Sequence, residues 1–208
     1  MRLIRKLCGM RSADNIRNAE LLDIDWMGFI FWRGSARYVG DCLTYMPQQK
    51  RCIGVFVDAD VAEITSAVSA YHLGGVQLHG AESINDCRLL RELLPTDVLI
   101  IKAIGVKSES DAQKAEAYDG SVDYLLFDTK CSGYGGSGTG FNWDVLAAYH
   151  GSTPFLLSGG IGIDSVDALH RFSHPRLAGI DINSRFEVEA AVKDVRLVAD
   201  FLNQITDL

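Results

Sequence analysis

Two residues in this chain have the types an acid/base pair needs, and each ends an apolar run. Cys8 closes Leu3-Ile4-Arg5-Lys6-Leu7-Cys8 and is followed at once by Gly9. Asp128 closes Val122-Asp123-Tyr124-Leu125-Leu126-Phe127-Asp128. A thiol or carboxylate at the end of a strand, before a chain reversal, stands where α/β proteins place their chemistry. Each has a plainer reading: a cysteine beside leucine is more often buried packing, and a strand-end aspartate often caps a loop. Two further segments have the composition of anion-binding loops, Ser158-Gly159-Gly160-Ile161 and Asp181-Ile182-Asn183-Ser184-Arg185. Gly-Gly admits close backbone approach to a phosphate, and Arg185 adds charge. In Arg33-Gly34-Ser35-Ala36-Arg37-Tyr38, a guanidinium, that of Arg33 or Arg37, suits a substrate carboxylate. His79, in Gln77-Leu78-His79-Gly80, reads as a substrate contact or structural residue ahead of a catalyst.

These residues act together only if the fold gathers them. Apolar strand candidates recur at Leu3–Cys8, Trp26–Phe31, Cys52–Val57, Gly75–His79, Val98–Ile104, Val122–Asp128, Pro154–Ser158 and Leu177–Ile182. They are rich in Ile, Val, Leu and Phe, as strands covered on both faces should be. Helical spacing lies between several of them. Ser12-Ala13-Asp14 caps a segment to about Leu22, Asp60 precedes one through Val68, and Glu82 opens one ending near Pro95. Ser108 opens Ala112–Tyr118, Asp164 opens a run to Phe172, and a last helix spans about Val195 to Ile205.

Alternating strands and helices imply parallel pairing with right-handed crossovers. Eight such units predict an α/β fold, a parallel eight-stranded (β/α)8 TIM barrel forming one catalytic domain over residues 1–208. An open doubly wound sheet is the alternative, but no Gly-x-Gly-x-x-Gly turn follows the first strand. In the barrel, strand carboxyl ends form the mouth, and Cys8 and Asp128 lie across it from each other. With a side-chain period of two, inward Cys8 implies inward Lys6 and Ile4, and inward His79 implies inward Gln77. A buried Lys6 requires a carboxylate, Asp181 or Asp128. The segment Cys131–Gly140 after the sixth strand is glycine-rich, lacks the Gly-Lys-Ser/Thr of a P-loop, and reads as a lid. Its Gly136 and Gly138 permit close approach to a ligand.

Composition narrows the class. Hydrophobic residues make up 48% and charged residues 23%, and the formal net charge is −7, which argues against nucleic-acid or membrane-surface binding. The five cysteines are irregularly spaced without a Cys-x-x-Cys, against a disulfide framework or zinc site. The opening residues lack the apolar core of a signal peptide, and no apolar run is long enough to span a bilayer. The expectation is a cytoplasmic enzyme, monomer or homodimer, acting on a phosphorylated small molecule, with neither a zinc site nor a histidine-rich metal site.

The ordered motifs resemble the phosphoribosylanthranilate isomerase family of tryptophan biosynthesis. The resemblance runs through Lys6-Leu7-Cys8-Gly9, Gly28-Phe29-Ile30-Phe31, Ser35-Ala36-Arg37-Tyr38 and Gly54-Val55-Phe56-Val57. It continues through Val76-Gln77-Leu78-His79-Gly80, Lys102-Ala103-Ile104, Leu126-Phe127-Asp128-Thr129, Tyr134-Gly135-Gly136-Ser137-Gly138 and Leu157-Ser158-Gly159-Gly160. It implies a cofactor-free barrel catalysing an Amadori rearrangement, with Cys8 as general base and Asp128 as general acid. It further implies that Arg37 holds the anthranilate carboxylate and that Gly159, Gly160, Asn183, Ser184 and Arg185 hold the phosphate. Acid catalysis implies that Asp128 is protonated and its pKa raised.

Two segments depart from the family pattern. Gly138-Thr139-Gly140-Phe141-Asn142-Trp143 stands where Gly-Lys-Thr-Phe-Asp-Trp is frequent, and Asn183-Ser184-Arg185 where Ser-Ser-Gly is common. Arg185 thus replaces a small residue, and either touches phosphate or braces its loop. Two rivals remain: a metal-using ribulose-phosphate epimerase, and a catalytically silent barrel that binds a phosphorylated regulator.

Overall fold

The computed structural model describes residues 2–40, 43–129 and 143–208. Eight parallel strands close on themselves in chain order: β1 Ile4–Leu7, β2 Trp26–Ile30, β3 Arg51–Phe56, β4 Gly75–Leu78, β5 Leu99–Val106, β6 Tyr124–Thr129, β7 Phe155–Ser158 and β8 Leu177–Ile182. Closure is made by β1 pairing with β8 in the register Ile4 to Gly179 through Leu7 to Ile182. All eight strands lie within a few residues of their expected positions. Each is a short apolar run that buries one face in the barrel and the other under the outer layer.

The barrel interior changes character along its axis. Trp26, Ile53, Ile101, Ala103, Leu126 and Leu156 form one buried cluster, with Ile4, Leu99 and Tyr124 packed against it. Trp26 and Tyr124 meet edge to face at 5.3 Å, an arrangement that suits the charge distribution of aromatic rings. Farther toward the carboxyl ends the inward side chains turn polar: Lys6, Gln77 and Asp181 are all buried. The period of two is what delivers Lys6 above Ile4 and Asp181 above Gly179.

Six α-helices surround the strands among the described residues: α1 Ala13–Glu20, α2 Val61–Tyr71, α3 Ile84–Leu93, α4 Glu109–Lys114, α5 Val166–Arg171 and α6 Val195–Gln204. Their starts follow local chemistry. The Asp60 carboxylate accepts from the Glu63 N–H at 2.7 Å, and Asp194 caps α6 through the N–H groups of Arg196 and Leu197. Ser83 and Asp86 form a capping box for α3, so Ser83, and not Glu82, opens that helix. Ile163–Ser165 is a 3-10 turn, and α5 begins only after it.

The expected eight-stranded barrel is present, and among the described residues an α-helix follows six of its strands. Described residues between β2 and β3 form no helix, because Gly34, Gly40 and Pro47 interrupt any helical stripe. Between β6 and β7 the described residues hold only the 3-10 turn Trp143–Ala148. One element was not anticipated: a two-stranded antiparallel hairpin, β9 Glu187–Glu189 with β10 Val192–Lys193, after β8.

Candidate active site

A pocket opens at the carboxyl ends of the strands. Its lining brings together Cys8, His79, Asp128, Gly159, Gly160, Asn183, Ser184 and Arg185, with Gln77, Ser158 and Asp181 at its floor and wall. These residues come from five strands and the loops that follow them. Gly136 and Gly138 lie outside the described residues.

Cys8 follows β1, donates its N–H to the Ile182 carbonyl at 2.9 Å, and is 4% exposed. Gly9, at φ 78°, then turns the chain away. Room for the thiol comes from Gly28 on β2: a Cβ there would stand 2.6 Å from Sγ. Burial is the largest influence on the Cys8 thiol and holds it above its ordinary value; Lys6 and Lys193 oppose the rise, and Asp181 adds to it. The partner of Lys6 is Asp181, Nζ to Oδ1 at 2.9 Å, and not Asp128. Asp181 also accepts from the Ser158 hydroxyl at 3.3 Å.

Asp128 ends its inward row on β6, three strands from β1 around the barrel through β7 and β8. The two residues are therefore not diametrically opposed, yet they line the same pocket. Gln77 Nε2 lies 2.9 Å from His79 Nδ1, and His79 Nε2 lies 3.3 Å from Asp128 Oδ2. An amide nitrogen only donates, so Nδ1 accepts and the ring proton sits on Nε2, which donates to Asp128. This assignment follows from the placement of the Gln77 amide.

Arg37 reaches the hairpin. Its Nε lies 2.8 and 3.0 Å from the two Glu187 oxygens, and its Nη2 lies 2.6 Å from Oε2. Glu187 also accepts from Lys193 Nζ at 2.5 Å, and the same ammonium donates to Asn183 Oδ1 at 2.6 Å. Burial works against a charged Glu187, but the bonds from Arg37 and Lys193 outweigh it and hold the carboxyl below its usual range. Gly9 lies against this network: a Cβ on it would fall 2.7 Å from Asn183 Oδ1 and 2.8 Å from Arg37 Cδ.

The two loops expected to hold an anion stand side by side. Gly159 and Gly160 have φ 92° and 67°, a left-handed region that glycine alone enters without strain. Ser184–Phe186 makes a 3-10 turn after β8. Arg185 forms an ion pair with Asp164 on the loop after β7, and the pair is about half exposed, 51% and 66%. Arg185 thus braces one loop against the other.

Sequence reading missed four contributors. Gly28 carried a signal, since a glycine inside a strand often marks close approach. Glu187 and Lys193 carried none that local pattern could reveal, because their partners lie far along the chain. Glu82, read as a helix opener, accepts from the N–H groups of Asp58 and Gly80 and pairs with Lys102 Nζ at 2.8 Å. That buried pair holds the turn that follows His79.

The arrangement can donate a proton from one side of a bound molecule, withdraw one from another, and seat an anion beside both. The chain matches the model of the family described as N-(5'phosphoribosyl)anthranilate (PRA) isomerase over residues 5–204. It is 48% identical to the N-(5'-phosphoribosyl)anthranilate isomerase of Phocaeicola vulgatus over 203 residues, 98% of each chain. Against that of Thermotoga neapolitana it is 32% identical, again over 98% of each. A solved phosphoribosyl anthranilate isomerase in complex with reduced 1-(o-carboxyphenylamino)-1-deoxyribulose 5-phosphate superimposes with a TM-score of 0.81 at 27% identity, covering 99% of this chain and 100% of that one. The Thermotoga maritima structure does so with a TM-score of 0.81 at 29% identity, with the same coverage. Matched across nearly its whole length, this chain belongs to the N-(5'-phosphoribosyl)anthranilate isomerase family.

Proposed function

We infer that this chain is an aldose-ketose isomerase of tryptophan biosynthesis. It converts N-(5-phosphoribosyl)anthranilate to 1-(2-carboxyphenylamino)-1-deoxy-D-ribulose 5-phosphate. The observation that carries the residue roles is the meeting of Cys8, Asp128 and the Gly159-Gly160 and Asn183-Ser184 loops at one mouth.

In this reading Asp128 donates a proton to the furanose ring oxygen, and the ring opens to a protonated Schiff base. The Asp128 carboxylate left behind is an acceptor for His79 Nε2–H, which favours its formation. The iminium acidifies the C2′ proton, and the Cys8 thiolate removes it. The C–H electron pair becomes the enolamine double bond, the nitrogen is neutralised, and tautomerisation yields the amino ketose. The substrate gains one proton from Asp128 and loses one to Cys8, and exchange with solvent then returns both groups to their starting states.

The same geometry supports a reading of the binding roles. Glu187 occupies the Nε–Nη2 edge of Arg37, which leaves the other edge for the anthranilate carboxylate. Backbone N–H groups at Gly159 and Gly160, with Asn183 and Ser184, receive the phosphate, and Arg185 serves mainly to hold their loops. His79, Gly136 and Gly138 complete the substrate contacts, the last two from the segment expected to be a lid.

Residues 1–208 are read as one catalytic domain, working as a monomer or homodimer. A Thermotoga maritima relative is described as dimeric, in a structure of mutually generated monomers. No helix of the described residues is long and apolar enough to cross a membrane. The unpaired Cys8, Cys52 and Cys87 support a cytoplasmic location.

The test is loss of the anthranilate-adduct fluorescence with purified wild type, Cys8→Ala and Asp128→Ala. Wild type should turn over substrate unaffected by chelator, and each variant should lose at least about a thousandfold in kcat with fold intact. Turnover that survives both substitutions overturns the assignment of base and acid.

A further inference from the structure

Lys6 is fully buried inside the barrel, and its pairing with Asp181, 6% exposed, does not explain its presence. Taking two charges out of water costs several kcal/mol per ion, and apolar residues of similar volume often serve stability as well or better. What distinguishes this pair is its place. Lys6 is the inward residue one step below Cys8 on the same strand, and Asp181 is its register neighbour on β8. Other charged groups near the thiol are already engaged. Lys193 and Arg37 both bind Glu187, while Asp128 and His79 bind each other across the pocket.

We propose that Lys6 is a positioning residue for proton abstraction: its ammonium, oriented by Asp181, favours the Cys8 thiolate that accepts the C2′ proton. The proposal deepens the reading of Cys8 as the base and rests on it. In the step, the thiolate takes the proton from carbon, and Lys6 keeps all three of its own. Burial is the largest influence on the thiol and leaves it above its ordinary value; Lys6 is the strongest influence in the opposite direction and limits that rise. Lys6 in turn stays charged despite burial, because Asp181 and then Cys8 favour the ammonium. Gly28 supports the arrangement by leaving the space the larger thiolate sulfur occupies.

Two substitutions should act with opposite sign, which a merely structural role does not predict. The measurement is iodoacetamide alkylation of Cys8 in the full-length protein across pH, read by peptide mass spectrometry, beside the pH profile of kcat/KM. Lys6→Met should raise the alkylation midpoint by about one pH unit or more, tenfold less thiolate at fixed pH. Its kcat/KM should fall in parallel near neutrality and recover toward alkaline pH. Asp181→Asn leaves the ammonium without its counter-charge and should lower the midpoint. Lys6→Arg keeps the charge and should stay within a few tenths of a unit of wild type.

Midpoints that do not move, or that move the same way in Lys6→Met and Asp181→Asn, overturn the proposal. Should Lys6→Met fail to fold by circular dichroism, Asp181→Asn decides the matter: the absence of a downward shift overturns it. Alkylation needs no turnover. The predicted shifts together with an active Cys8→Ala enzyme would therefore reject Cys8 as base while leaving the electrostatic effect of Lys6 standing.

Discussion

Gly28 on β2 faces the thiol of Cys8 so closely that a methyl group there would lie 2.6 Å from Sγ and 3.0 Å from Cα. Part of the obstacle is backbone of a barrel strand, which cannot swing aside. Gly28→Ala should therefore displace the thiol, lowering kcat by about 100-fold for a shift near 1 Å. It should also cost roughly 1–3 kcal/mol of stability through overpacking. Gly105 on β5 offers the contrast, since a Cβ there meets nothing within 4 Å. Steady-state kinetics and thermal melts of both variants check the idea; a fully active Gly28→Ala would reject it.

Glu187 sits between two cations, one of them the side chain of Lys193, which is 0% exposed. Glu187→Gln keeps the shape but leaves Lys193 buried without a counter-ion, a loss of about 3 kcal/mol or more. Arg37 also loses its bidentate anchor, so KM should rise. The double variant Glu187→Gln with Lys193→Met should recover much of the stability, because the stranded charge is gone. Chemical denaturation of the set measures the coupling, and additive effects would contradict the network.

Asp119 gathers the segment before β7. It accepts from the Ser152 and Thr153 N–H groups at 2.6 and 3.1 Å, and from the Thr153 hydroxyl at 2.7 Å. Burial opposes its charge, but these bonds prevail and bring its pKa from 3.8 to about 2. The folded value is depressed, so the stabilisation is complete above the unfolded pKa and is lost as pH falls from about 4 toward 2. Solvent screening around this lightly buried carboxylate reduces its size to about 1 kcal/mol. Asp119→Ala should lower the melting temperature at pH 7 and flatten the acid limb of the stability curve between those values. An unchanged acid limb would speak against the bonding described.

Arg185 and Asp164 join the two anion-binding loops through an exposed ion pair. Such a pair contributes little to global stability, ~0–1 kcal/mol. Arg185→Ala should accordingly leave the melting temperature nearly unchanged, yet raise KM several-fold as the loops lose their brace, with kcat nearly unaltered. A large fall in kcat would mean that Arg185 takes part in the chemistry.

Much of this molecule is written locally in its chain. Strands such as Phe155–Ser158 are short apolar runs because both their faces are covered, and apolar content is a property of neighbours in sequence. Helix starts at Asp60 and Asp194 likewise depend on a side chain meeting an N–H two or three residues on. A period of two along β1 was enough to foresee Lys6 inside the barrel and its need for a carboxylate. That same period set Gln77 beneath His79 and Leu126 beneath Asp128.

Choices between distant residues were decided only by closure of the barrel. Whether Asp181 or Asp128 pairs with Lys6 depends on β8 lying beside β1, a contact spanning 175 residues. The Arg37–Glu187 contact spans 150, and no local pattern carries it. Glu82 resembled a helix opener because an acidic residue before an apolar stripe usually is one; burial beside Lys102 gave it a different task. The cysteine, the aspartate and the loops were legible because strand ends can be read one at a time. Which groups set their charge and hold them in place was not, because electrostatics and packing act through space and only the folded barrel defines those distances.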